Sequence, residues 1–246
     1  VKVFEALAVD NSIKIHSIAW PHEKDKIALC RMDFDMDPFV VGPPPQFAEF
    51  LSRCSNPDGL CAFIGSIFID DSYKQQYLWI NGDGGDGKGE LYGFLLMLLR
   101  HAAHTEQSPL RINQFWTSSF AGKRLIGFPD FSNPGWIASG EFKQLCSDDP
   151  VRMEQKGGLI WSEQVESKII FLSNKDLSIT GENSMVRRAV YTHVDKFEGV
   201  IEPNLRNKFW DEREGIISYC LKKYAELTTN HGPILHQDEH LEDAIE

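Results

Sequence analysis

The residues best placed to do chemistry are Gly82-Asp83-Gly84-Gly85-Asp86-Gly87-Lys88, which fit the spacing G-x-x-x-x-G-K between an apolar run and a helix-like stretch. Glycines let a backbone turn its N–H groups inward around phosphate oxygens. The start of a helix adds its positive end, and Lys88 supplies a mobile cation for the terminal phosphates. The bland alternative is a flexible glycine turn that contains a lysine. The spacing departs from the usual pattern at Gly89, where a Ser or Thr hydroxyl would meet Mg²⁺. The metal must then be held through water, Asp130 or Glu90. Hydrolysis is put in question by this departure and phosphate binding is not.

Asp130 follows the apolar run Leu125-Ile126-Gly127-Phe128, where a strand-terminal carboxylate would orient Mg²⁺ and water. The turn-like Ser132-Asn133-Pro134-Gly135 behind it leaves a plain turn aspartate open, and Glu141 is the next carboxylate in line. Asn174 closes the run Lys168 to Ser173, where its amide could hydrogen-bond an attacking water; a turn asparagine is the competing reading. Arg187-Arg188 read either as a basic pair that reaches a phosphate or as the solvated end of a helix starting near Glu182. Asp149 to Trp161 reads as a hairpin with Arg152 on one arm and Lys156 at its tip. His236 and His240 stand four apart inside an acidic tail, and that pair, like His101 and His104, reads as structural and not as a metal site.

The elements that must position these groups are legible as apolar runs. Gln76 to Ile80 predicts a buried strand feeding the glycine turn, and Glu90 to Arg100 a helix buried on nearly every side. Leu125 to Phe128 and Ile169 to Leu172 predict further strands covered on both faces, hence a parallel sheet. Phe47, Phe50 and Leu51 recur at helical spacing, Cys61 to Phe68 is similar, and Leu205 to Leu227 predicts one C-terminal helix. Gly42-Pro43-Pro44-Pro45, after the acidic patch Asp33 to Asp37, is a stiff linker signal. The expected division is an N-terminal segment with a small helical subdomain over 1–70, an α/β core over 71–200, and a helical lid with an acidic tail over 201–246.

The 246 residues are 42% hydrophobic and 25% charged, with a formal net charge of -11. That excludes an all-over basic coat for nucleic acid, though not a narrow channel that concentrates positive charge. Five cysteines without a C-x-x-C pair suggest reduced structural thiols, not a disulfide framework or zinc ribbon. No run is long enough to cross a bilayer and no basic-then-apolar leader opens the chain, so a soluble, intracellular protein is expected. A first residue of Val1 leads us to expect a piece of a longer polypeptide.

Taken in order, the Gly82-to-Lys88 loop, Lys123 to Asp130, Phe142 to Val151, Lys168 to Asn174, Arg187-Arg188 and Phe209 to Ile216 resemble the superfamily-three helicases, and among them the phage and plasmid primase–helicases. The resemblance covers roughly residues 46 to 225. It implies a P-loop ATPase fold, a central parallel sheet flanked by helices, with ATP bound over Gly82, Asp83, Gly84, Gly85, Asp86, Gly87, Lys88, Gly89 and Glu90, and Mg²⁺ at Asp130. It implies a homo-hexameric ring that draws single-stranded DNA through its centre, with Lys88, Asp130 and Asn174 in one subunit and Arg187 or Arg188 reaching the neighbour's nucleotide. Lys156, aided by Arg152, would grip DNA in the channel, and a primase or polymerase domain could share the polypeptide. Two other classes stay open: a nucleotide-binding assembly module with weak or no hydrolysis, suggested by Gly89, and a small-molecule phosphotransferase.

Overall fold

The computed structural model describes residues 39–69, 75–106, 116–177, 183–199, 204–228 and 232–234. The acidic patch Asp33 to Asp37, Glu182, the His236 and His240 pair and the acidic tail lie outside them. The centre is a parallel α/β sheet. Its strands are β1 (Tyr77–Asn81), β2 (Ala103–Thr105), β3 (Leu125–Phe128), β6 (Lys168–Ser173) and β7 (Ala189–His193), in the order β2-β3-β6-β1-β7. Every pairing in it is parallel, with Trp79 opposite both Phe171 and Tyr191, and Phe128 opposite Phe171. All strand C-termini therefore meet at one edge, the edge where ligands of such sheets bind.

Both faces are apolar because side chains alternate along each strand. Leu78, Ile80, Ile170, Leu172, Leu125 and Val190 face one apolar layer, while Tyr77, Trp79, Ile169, Phe171, Ile126, Phe128 and Tyr191 face a second. Phe171 is the hub of the second. Its ring lies 4.9 Å from Phe128, 4.7 Å from Phe131, 5.5 Å from Trp79 and 5.4 Å from Phe142. Such offset and edge-on contacts suit aromatic quadrupoles.

Helices α1 (Pro45–Leu51), α2 (Pro57–Ser66) and α3 (Lys88–Leu99) are followed by α4 (Gly140–Leu145), α5 (Asn183–Val186), α6 (Leu205–Asp211) and α7 (Arg213–Leu227). Side chains of α1, α2, α3, α6 and α7 belong to the first layer, and α4 to the second. Helix α2 starts earlier than its apolar run, because Asn56 accepts a hydrogen bond from the Gly59 amide (2.9 Å) and Pro57 takes the first helical position. It packs tightly on α7, where a Cβ at Gly65 would strike the Cys220 carbonyl.

The expected single helix over Leu205 to Leu227 is broken at Glu212. The residue at the break makes a long-range contact. Helix α1 begins at a proline pair that offers no side-chain cap, and the Glu212 carboxylate accepts from the Gln46 and Phe47 amides at 2.9 and 3.0 Å. Val151–Glu154 (β4) and Ile160–Glu163 (β5) form a separate antiparallel pair whose tip is residues 155–159. No helix among the described residues is long and apolar enough to cross a membrane.

Candidate functional site

The loop leaves β1 at Asn81, whose side-chain oxygen accepts from the Gly82 amide at 2.7 Å. Gly84, Gly85 and Gly87 adopt left-handed backbone at φ of 93°, 69° and 94°, a region open to glycine with little strain. The turn closes around a carboxylate. Asp86, only 2% exposed, accepts from the Gly84 amide at 3.2 Å, the Lys88 amide at 2.9 Å and the Lys88 Nζ at 2.6 Å. Lys88 Nζ also donates to the Gly82 carbonyl at 2.9 Å, so the lysine is folded back into its own loop. These donors form a concave anion nest, the arrangement suited to phosphate oxygens.

Asp83, Gly85 and Gly89 are exposed. A Cβ at Gly89 would meet nothing within 4 Å, so the missing hydroxyl is a chemical difference and not a steric demand. Glu90, in the first turn of α3, is paired with Arg206 of α6 at 3.3 Å.

Strand β6 lies beside β1, and β3 lies beside β6, so Asn174 and Asp130 emerge at the edge that carries the loop. The two turns are pinned together. The Phe131 amide donates to the Leu172 carbonyl (2.8 Å), Ser173 Oγ donates to the Phe131 carbonyl (2.7 Å), and Lys175 Nζ donates to the Ser132 carbonyl (3.1 Å). The Gly82 amide also donates to the Ser173 carbonyl at 3.2 Å, linking this pair to the glycine loop. Asp130 is exposed at φ 51°, a conformation that aspartate tolerates better than most residues. Asn174 is exposed too. Glu141 sits apart, in the first turn of α4.

Arg187 and Arg188 lie just ahead of β7, at the opposite edge. Ala189 is in register with Tyr77, the first residue of β1, and four steps of about 3.3 Å put the glycine loop roughly 13 Å further along. Arg187 is exposed, whereas Arg188 donates to the Cys146 carbonyl at 3.2 Å. On the separate hairpin, Lys156 is exposed at the tip, and Arg152 is paired with Glu154 at 3.1 Å.

Several groups at the loop were not named from the sequence. Asn81 donates to the Asp176 carboxylate and to Tyr191 Oη (3.3 Å), joining β1, β7 and the turn after β6. Arg53 of the α1–α2 connection donates to the Asp86 carbonyl at 2.8 Å. Asn81 had a readable signal, a polar residue ending a buried strand directly before Gly82. Arg53 had none, since its partners are distant in sequence. Among the described residues no group of three or more His, Cys, Asp or Glu side chains could hold a metal by itself.

Residues 80–188, less than half of the chain, match a family described as "Family of unknown function (DUF5906)". No curated protein matches. Among solved structures, the apo C-terminal region of NrS-1 superposes with a TM-score of 0.61 at 14% identity, covering 79% of this chain and 52% of that one. Another apo form of the same region, the A form, gives 0.61 at 12% identity, covering 83% and 51%. A JCV helicase structure covers 72% of this chain and 53% of that one at 15% identity, with a TM-score of 0.44. The chain thus spans about half the length of the solved structures it matches. At these identities the NrS-1 likeness concerns the fold alone: a parallel sheet flanked by helices, consistent with the P-loop ATPase fold.

Proposed function

We propose that the chain is the ATP-driven motor domain of a DNA helicase serving the replication of a phage or mobile element, and that it works as a homo-hexameric ring on single-stranded DNA. One observation carries the reading. Lys88 and the amides of Gly84 and Lys88 are gathered around an anionic oxygen pair in a left-handed glycine turn at a strand end. That is the donor set a triphosphate tail requires.

In this reading the phosphates of ATP take over the donors that Asp86 now engages. Lys88 Nζ moves from the Asp86 carboxylate to the terminal phosphates, and the loop amides follow. The Asn174 amide holds the attacking water by hydrogen bond. Asp130 would hold Mg²⁺, whose charge offsets that of the phosphates. The donor set fits, because Mg²⁺ in such sites takes one or two carboxylates and completes its shell with phosphate oxygens and water. Asp83, Gly85, Gly89 and Glu90 complete the loop and the first helical turn beneath the phosphates.

Arg187, exposed at the far edge, is too distant to serve its own loop and acts on a neighbouring copy's nucleotide, where a guanidinium stabilises charge on the transferring phosphoryl. Arg188, tied to the Cys146 carbonyl, supports that edge. Lys156 at the hairpin tip grips the DNA backbone, and a ring multiplies each weak contact. Arg152 contributes less, since Glu154 offsets its charge. The work falls to a core over 71–200, with 1–70 and 201–246 as flanking segment and lid. A primase or polymerase domain on the same polypeptide and an intracellular site of action belong to the same proposal.

A second reading, a nucleotide-binding assembly module with weak or no hydrolysis, draws on Gly89, where no hydroxyl is present to meet Mg²⁺. ATP turnover with and without single-stranded DNA separates the two. The motor reading expects turnover stimulated by DNA, lowered by roughly two orders of magnitude or more in Lys88→Ala. Turnover unchanged in Lys88→Ala would remove the site, and ATP binding without turnover would favour the module.

A further inference from the structure

Asn81 ends β1 one residue before the glycine loop and is only 5% exposed. Its side-chain Oδ1 accepts from the Gly82 amide at 2.7 Å, and Nδ2 donates to the Asp176 carboxylate and to Tyr191 Oη at 3.3 Å. An amide can sit either way round, and its neighbours decide which. Turned over, the Asn81 oxygen would face a carboxylate and its NH₂ would face the Gly82 N–H: acceptor against acceptor, donor against donor. The Tyr191 hydroxyl can serve either orientation, since it both donates and accepts. The charge on Asp176 therefore selects the orientation that holds Gly82.

We propose that Asp176 and Asn81 are positioning residues that hold the glycine loop and the Asn174 turn at one fixed separation, so that a water on Asn174 is aimed at phosphates in the loop. The inference rests on the motor reading and adds to it the link between its two halves. Both ends of the link carry it. Asp176 lies two residues beyond Asn174 in the turn that leaves β6, so the group that steers Asn81 moves with the group that faces the water. At the other end, Gly82 bears directly on the lysine. Its carbonyl accepts from Lys88 Nζ at 2.9 Å, its amide also donates to the Ser173 carbonyl at 3.2 Å, and a Cβ there would strike the Asp86 carboxylate.

The turn between the two ends is built to transmit position. The Lys175 amide donates to Ser173 Oγ at 2.9 Å, Lys175 Nζ donates to the Ser132 carbonyl at 3.1 Å, and Leu177 is fully buried. Asp176 itself is exposed, so its carboxylate adds little to the core and acts through Asn81. The size of the effect follows from geometry: misplacing a reacting group by about 1 Å costs on the order of a hundredfold in rate.

The test is ATP turnover per competent site, with sites counted by titration with a non-hydrolysable ATP analogue. Asp176→Ala should lower turnover at saturating ATP about tenfold or more while KM stays within about threefold, because Lys88 and the Gly84 and Lys88 amides still hold the phosphates. Asn81→Asp sets two carboxylates face to face and should fall at least as far. Adding Asp176→Asn to Asn81→Asp restores a donor opposite an acceptor, with the roles exchanged and the Gly82 contact kept, and should recover most of the turnover. If Asn81→Asp does not fold, Asp176→Ala decides by its own two numbers. Wild-type turnover in Asp176→Ala, or a double variant no better than Asn81→Asp, would overturn the link and leave the loop reading standing. Loss of analogue affinity as large as the loss of turnover would overturn it too, since Asp176 would then merely support the loop. If wild-type protein binds the analogue and turns over no ATP, the motor reading falls and the link falls with it.

Discussion

Asp86 and Lys88 form a buried pair inside the loop that would have to open for phosphate to enter, and this makes Asp86 the most telling single residue. A charge-assisted bond of this kind is worth more than a neutral one, and losing one partner leaves the other charge buried. Asp86→Asn should therefore lower thermal stability of the ligand-free protein while tightening ATP binding by about tenfold, since the competing anion is gone. Differential scanning fluorimetry with and without ATP measures both. A variant whose melting temperature falls and whose ATP-induced rise shrinks would show that Asp86 helps hold phosphate. At this scale the sequence was informative about which residues gather and less so about how. The glycine spacing pointed to Lys88, but nothing in it indicated that Asp86 would occupy the nest or that Glu90 would pair with Arg206 of α6.

Helices and strands were legible where one apolar run makes one element, as at Tyr77–Asn81, Leu125–Phe128 and Lys168–Ser173. They were not legible where a distant partner decides. The apolar positions of Leu205 to Leu227 keep helical spacing through Glu212, and the partners of its carboxylate, two amides of α1, stand 166 and 165 residues away. Glu212→Ala removes that cap and should destabilise the protein by about 1–2 kcal/mol, the usual value of a helix N-cap. Urea unfolding reads this as a lower midpoint at unchanged slope. No change would mean that water caps α1 equally well. The strand order was likewise closed to sequence reading, because β6 enters the sheet between β1 and β3 through long-range pairing. That insertion sets Asn174 nearer the loop strand than Asp130.

For the whole molecule, the parallel sheet separates the glycine loop at one edge from Arg187 at the other. An arginine that serves ATP from there needs a second copy, so activity should depend on assembly. Mixing Arg187→Ala subunits with Lys88→Ala subunits, each inactive alone, should restore part of the ATP turnover, because some interfaces then pair an intact loop with an intact arginine; no recovery at any ratio would count against action in trans. The most direct test of the central claim is a structure with a non-hydrolysable ATP analogue. The account predicts the analogue's terminal phosphates within hydrogen-bonding distance of Lys88 Nζ and the Gly84 and Lys88 amides, with the Asp86–Lys88 pair opened. An analogue bound elsewhere, with that pair intact, would contradict it.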